Sequence, residues 1–206
     1  MNSYTRRLDI AGAAGRIQVL HDSPEGAPRG VAVIAHPHPL FGGTMDNKVV
    51  QTMARAFVQS GWSAVRFNFR GVGTSEGVHD EGRGEADDML EVVRSQAPEG
   101  PLALAGFSFG AFVASKLVEP LAATRDLQRI VLVGTATSRF GVATIAAELH
   151  ERTLVVHGEQ DDTVPLASVM DWARPQSLPV TVVPGGGHFF HGQLPLLKSL
   201  VLRHLR

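Results

Sequence analysis

Short apolar runs alternate along the chain with longer segments in which apolar positions recur at helical spacing. The runs are 30–35 (GVAVIA), 63–68 (SAVRFN), 101–106 (PLALAG), 129–134 (RIVLVG), 153–157 (TLVVH) and 180–183 (VTVV). Several are hydrophobic almost without interruption, as expected of strands covered on both faces. Segments 47–59, 85–95, 111–119, 166–172 and 194–205 read as helices. Gly61 closes the first and Pro120 the third, while Pro165 precedes the fourth where proline favours a helix start. Upstream, 7–11 and 16–21 flank a Gly/Ala turn and predict an antiparallel hairpin on a sheet edge. The alternation predicts the α/β class, a mostly parallel, doubly wound sheet with helices on both faces.

Composition narrows the function. A chain of 206 residues reads as one domain, 1–206, large enough to bury a substantial core. With 19 Lys+Arg against 20 Asp+Glu it carries no electrostatic footprint for nucleic acid or an anionic membrane, so the expected partner is a small molecule bound at one site. Nothing demands a second copy, and monomer and homodimer both stay open. The absence of cysteine excludes disulfides, a thiolate nucleophile and sulfur-bound zinc, and fits a cytoplasmic protein. No stretch approaches the 18 or more apolar residues of a membrane helix. After Arg6-Arg7, the residues Asp9, Gly12 and Gly15 interrupt the segment before any long apolar region develops, so it reads as mature protein.

The sequence Gly106-Phe107-Ser108-Phe109-Gly110 fits G-x-S-x-G, in which a serine sits on a sharp strand-to-helix turn. Gly73-Thr74-Ser75-Glu76-Gly77 fits it too, but lies in a polar, glycine-rich loop. Ser108 alone has an apolar strand before it and a helix after it, and is the candidate nucleophile. A serine hydroxyl needs a histidine base and a carboxylate to orient that base. Strand 153–157 runs into Gly158-Glu159-Gln160-Asp161-Asp162, and strand 180–183 into Pro184-Gly185-Gly186-Gly187-His188, at the edge where open parallel sheets bind ligands. His188 is favoured over His191 and His204 because the triple glycine gives it a loop able to reach the serine. Spacing does not choose between Asp161 and Asp162.

Acyl transfer also needs amide donors for the oxyanion. One is the amide of Phe109, and the other comes from His36-Pro37-His38-Pro39-Leu40-Phe41-Gly42-Gly43. Proline has no N–H, which leaves His38 and Leu40 ahead of Phe41. A metal site at His36 and His38 lacks an evident third ligand, and Gly71-Val72-Gly73 lacks the spacing of a phosphate cradle, so no metal and no cofactor is expected.

Five blocks in order, HPHPLFGG (36–43), NFRGVGTSEG (68–77), GFSFG (106–110), HGEQDDTVP (157–165) and GGGHFF (185–190), resemble the α/β-hydrolase superfamily. The likeness is closest to small lidless bacterial serine hydrolases related to dienelactone hydrolases and short-chain esterases. The resemblance implies Asp161 as the acid, since the family's acid stands four residues after the histidine of H-G-x-x-D. It also implies hydrolysis of small carboxylic esters through an acyl-enzyme by a Ser108-His188-Asp161 triad. The chain departs from dienelactone hydrolases in having serine where they use cysteine. Thioester, amide or lactone hydrolysis by the same groups is the alternative, as is a non-catalytic binding domain on this fold. The interval 135–152 is too short for a helical cap, although 142–150 has room for a single helix. Phe41, Phe107, Phe109, Phe140 and Phe189 are cleft-wall candidates that serve equally well as core residues.

Overall fold

The computed structural model describes residues 5–206, so the first four residues of the expected 1–206 domain lie outside the described residues. Among the described residues eight strands form one sheet in the order β1-β2-β4-β3-β5-β6-β7-β8. They are β1 (Thr5–Gly12), β2 (Gly15–Asp22), β3 (Val31–Ala35), β4 (Ser63–Phe67), β5 (Leu102–Phe107), β6 (Leu127–Val133), β7 (Thr153–Gly158) and β8 (Val180–Val183). The hairpin β1-β2 joins β4 antiparallel, and every other pairing is parallel. This is the mostly parallel α/β architecture expected.

Among the described residues five α-helices cover the sheet: α1 (Lys48–Gln59), α2 (Gly84–Gln96), α3 (Phe109–Ala122), α4 (Leu166–Ala173) and α5 (Leu194–His204). Successive strand residues point to opposite faces, which divides the core in two. Val33, Leu104 and Leu132 pack beneath α2, α3 and α4, whereas Ile34, Ala105 and Val133 pack beneath α1 and α5. Burial on both faces is why these strands lack polar alternation. Asn47 starts α1 by accepting the Val49 N–H at 2.9 Å, and Gly61, at φ 82°, ends its last turn.

Two boundaries differ from expectation. Helix α3 runs through Pro120 to Ala122, because a proline in the last turn removes only one bond and Leu121 is held in the core. No α-helix forms over 142–150. Instead the Ala143 N–H donates to Ser115 Oγ (3.1 Å), the Ile145 N–H to Gln176 Oε1 (2.7 Å), and Trp172 Nε1 to the Ala143 carbonyl (3.2 Å). Neighbouring side chains thus occupy the backbone groups a helix would pair internally, and only a 3₁₀ helix, Ala147–Arg152, follows. Among the described residues no helix is long and apolar enough to cross a membrane.

Candidate active site

The turn from β5 into α3 carries Ser108 at φ 56°, ψ −114°, a left-handed conformation that L-residues avoid. Its N–H donates to the Val133 carbonyl at 2.8 Å, which extends the β5-β6 ladder one residue and holds the strained position. Both flanking glycines are sterically required. A Cβ on Gly106 would lie 2.2 Å from the Gly110 carbonyl oxygen, and one on Gly110 would lie 2.4 Å from that of Ala35. Ser75, the rival by pattern, is engaged elsewhere: its hydroxyl donates to the Asn68 carbonyl (2.7 Å) and accepts the Gln18 N–H (2.9 Å), bracing a loop against β2.

The loops after β7 and β8 bring two further groups to Ser108. His188 Nδ1 donates to Asp161 Oδ2 at 2.7 Å, and its Nε2 lies 3.0 Å from Ser108 Oγ, which donates to it. Burial would raise the Asp161 carboxyl, but the His188 hydrogen bond and the Val164 amide outweigh it and hold the group below the usual carboxylate range. Asp161 Oδ1 accepts the amides of Thr163 (3.0 Å) and Val164 (2.7 Å), leaving Oδ2 for His188. The two loops interlock so tightly that a Cβ on Gly158 would sit 2.3 Å from the Gly186 oxygen. The competing residues are elsewhere. Asp162 is exposed and accepts from Thr163 Oγ1, His191 is exposed beside Phe189, and His204 bonds the Arg152 carbonyl.

A residue that the sequence pattern does not single out, His157, also belongs to the site. Its Nε2 donates to the Val164 carbonyl at 2.8 Å and lies 3.4 Å from the same Asp161 Oδ2, while burial lowers its pKa and keeps it neutral. The signal was the four-residue spacing between His157 and Asp161, visible only as part of the H-G-x-x-D block.

In the loop after β3 the expectation for Leu40 is corrected. A 3₁₀ turn, Pro39–Phe41, is capped by His38, so the Leu40 N–H is committed to His38 Nδ1 (3.2 Å) and the Phe41 N–H to the His38 carbonyl (3.1 Å). Among the described residues the amide of His38 donates to no acceptor, and that of Phe109 heads α3 unpaired. His36 is fully occupied: Nδ1 donates to the Pro37 carbonyl (2.6 Å) and Nε2 accepts the Phe69 N–H (3.0 Å). Burial pushes its pKa down to about 4. The described residues contain no group of three or more His, Asp or Glu side chains arranged for a metal.

A cavity of about 350 Å³ opens over Ser108. Phe41, Phe109, Phe140 and Phe189 line it, whereas Phe107 does not: fully buried, it packs beneath the His188 ring. Arg139 lines the cavity as well, and no lining side chain is a carboxylate.

Comparisons with known proteins agree with this fold. The family model described as serine aminopeptidase, S33, matches residues 26–150. An uncharacterized protein of Rickettsia prowazekii (strain Madrid E) is 40% identical over 111 residues, 52% of this chain and 47% of that protein, so the match spans about half the relative's length. Among solved structures, an α/β serine hydrolase homologue from Coxiella burnetii is 37% identical, with a TM-score of 0.85 over 100% of this chain and 99% of that one. An α/β serine hydrolase without a lid from Xanthomonas campestris is 35% identical, with a TM-score of 0.86 over 100% of this chain and 95% of that one.

Proposed function

The chain belongs to the α/β hydrolases of the serine aminopeptidase S33 family, in their lidless form, and from that premise we propose that it is a serine hydrolase cleaving small carboxylic esters through an acyl-enzyme. The observation that carries this reading is the continuous chain from Ser108 Oγ through His188 (3.0 Å) to Asp161 (2.7 Å) at the floor of an open cavity. Ser108 Oγ attacks the ester carbonyl while His188 Nε2 takes its proton. Asp161 keeps the other ring nitrogen protonated and stabilises the imidazolium. The oxyanion receives the amides of Phe109 and His38, the first assisted by the N-terminus of α3. His188 then returns its proton to the departing alkoxide. Next it draws a proton from water, whose oxygen attacks the acyl carbon, and it passes that proton to Ser108 Oγ as the Oγ–acyl bond breaks and the acid leaves.

The family name raises an aminopeptidase reading, against which the cavity lining speaks. Holding a free α-ammonium group calls for a carboxylate, and the cavity presents Arg139 instead. The open, aromatic-edged cleft suits a small ester, whose leaving group needs less assistance than an amine. Replacing Ser108 by Ala is expected to lower turnover of 4-nitrophenyl esters by about 10³-fold or more without loss of folded structure. A fluorophosphonate probe is expected to modify Ser108 alone. Retained turnover in Ser108→Ala would overturn the assignment.

A further inference from the structure

Arg139 stands in the turn that follows β6. The turn is fixed, since the amides of Arg139 and Phe140 both donate to the Ala136 carbonyl (3.3 and 3.2 Å) and Ala136 is buried. Phe140 stacks on Phe112 with ring centroids 4.7 Å apart and planes 13° from parallel. From this base the guanidinium reaches the Phe41 ring, its central carbon 5.9 Å from the centroid. Both side chains line the cavity above Ser108. Among the described residues Arg139 makes no ion pair and no side-chain hydrogen bond, whereas Arg66, Arg70 and Arg83 each hold a carboxylate. Packing of a guanidinium on an aromatic ring leaves its N–H fork unused, and that fork matches a carboxylate with two parallel bonds.

The surroundings favour the same sign of ligand. The N-terminus of α3 opens onto the cavity at Phe109, no carboxylate lines the walls, and Asp161 has its oxygens committed behind His188. Phe109, Ala136 and Phe140 line the same cavity as Ser108 and Arg139, and these apolar side chains suit a short hydrocarbon spacer.

We infer that Arg139 is a specificity-determining residue that selects esters carrying a second, ionised carboxylate, such as half-esters of short dicarboxylic acids, with the scissile carbonyl at Ser108. This inference rests on the serine hydrolase reading of the same site. The covalent step is unchanged from that reading, and the distal carboxylate takes no part in it beyond its bonds to Arg139.

The test compares 4-nitrophenyl hydrogen glutarate with 4-nitrophenyl pentanoate, nearly equal in length and differing in charge, on wild type, Arg139→Gln and Arg139→Lys. The ratio of kcat/KM for the charged over the neutral ester is expected to fall by about five- to tenfold in Arg139→Gln, the scale of one partly solvated charge-assisted pair. The change is expected in KM, with Arg139→Lys between the two. The wild-type ratio is also expected to shrink as salt rises from about 0.05 to 0.5 M. A ratio that Arg139→Gln leaves unchanged, with pentanoate still hydrolysed by wild type, would overturn the role of Arg139 alone. Wild type inert on both esters would overturn the esterase reading and this inference with it.

Discussion

His36 and His188 leave the sheet at the same edge, yet their hydrogen bonds give them opposite capacities. His188 points Nε2 at a hydroxyl whose proton it can accept, 3.0 Å away. His36 points Nε2 at the Phe69 N–H, so a proton added there would meet a donor at a fully buried position. The depressed pKa of His36, about 4, makes it a determinant of acid stability. Its folded pKa lies below the ordinary value of 6.5, so the unfolded chain binds a proton that the folded chain refuses, and stability is lost as pH falls from about 6.5 toward 4. The loss from this residue is expected to reach roughly 3 kcal/mol at the lower end. Replacing His36 by Gln is expected to lower stability at pH 7 but to flatten the slope below pH 6.5, as read from urea midpoints across that range. Parallel slopes for the two proteins would contradict it. Which histidine does what was only partly legible in the sequence. The glycines before His188 announced a loop, but the partner that silences His36 lies 33 residues away at Phe69, where no local pattern points.

At the scale of elements, the turn between β5 and α3 shows why a five-residue motif carries so much and so little. Its glycines answer to atoms of the element itself and of β3: Gly106 to the Gly110 carbonyl and Gly110 to that of Ala35. The second motif has the same letters, but its glycine positions answer to a hairpin and to side chains. A Cβ on Gly77 would meet Ala14 and Arg70, and one on Gly73 would meet Asn68 and Gln18. Flanking hydrophobicity separated them because it reports whether a strand and a helix are present to be joined. Gly106→Ala and Gly110→Ala are each expected to destabilise the protein by about 2 kcal/mol or more, because backbone cannot yield as a side-chain tip can, and to reduce fluorophosphonate labelling of Ser108. Gly141→Ala, where a Cβ meets nothing within 4 Å, is expected to stay within about 0.5 kcal/mol of wild type. Equal thermal midpoints for all three variants would sink the steric account. Strands buried on both faces were equally legible, since continuous apolar runs leave few alternatives. The segment before Ala147 was not. Its backbone is held by Ser115 and Gln176, side chains of other elements whose approach the local sequence does not encode.

At the scale of the molecule, the N-terminal hairpin must be fastened to a parallel sheet that would otherwise present β4 as an exposed edge. The backbone ladder between β2 and β4 spans only Val19–Phe67 to Asp22–Ala64. A buried ion pair reinforces it: Arg66 on β4 meets Asp22 on β2 through both Nε (3.2 Å) and Nη2 (3.0 Å). The same guanidinium donates to the Met45 carbonyl at 2.9 Å and reaches Asp46 at 3.3 Å, just before Asn47, which lines the cavity. One side chain therefore ties the hairpin, the sheet and the loop leading into α1. Nothing in the sequence marked Arg66, a lone cation inside the apolar run 63–68, as anything but an interruption. Because the pair is buried, removing Asp22 leaves the Arg66 guanidinium with only the exposed Asp46 as its charged partner, whereas removing both members exchanges ionic for apolar packing. Asp22→Ala is expected to cost about 3–5 kcal/mol in urea unfolding, and Asp22→Leu combined with Arg66→Met to recover most of it. The double variant is nevertheless expected to lose turnover relative to wild type, since neither replacement holds the Met45 carbonyl and the loop at Asn47 loses its anchor. A double variant with restored stability and full turnover would show that Arg66 serves the hairpin only and that the cavity wall is held by α1 alone.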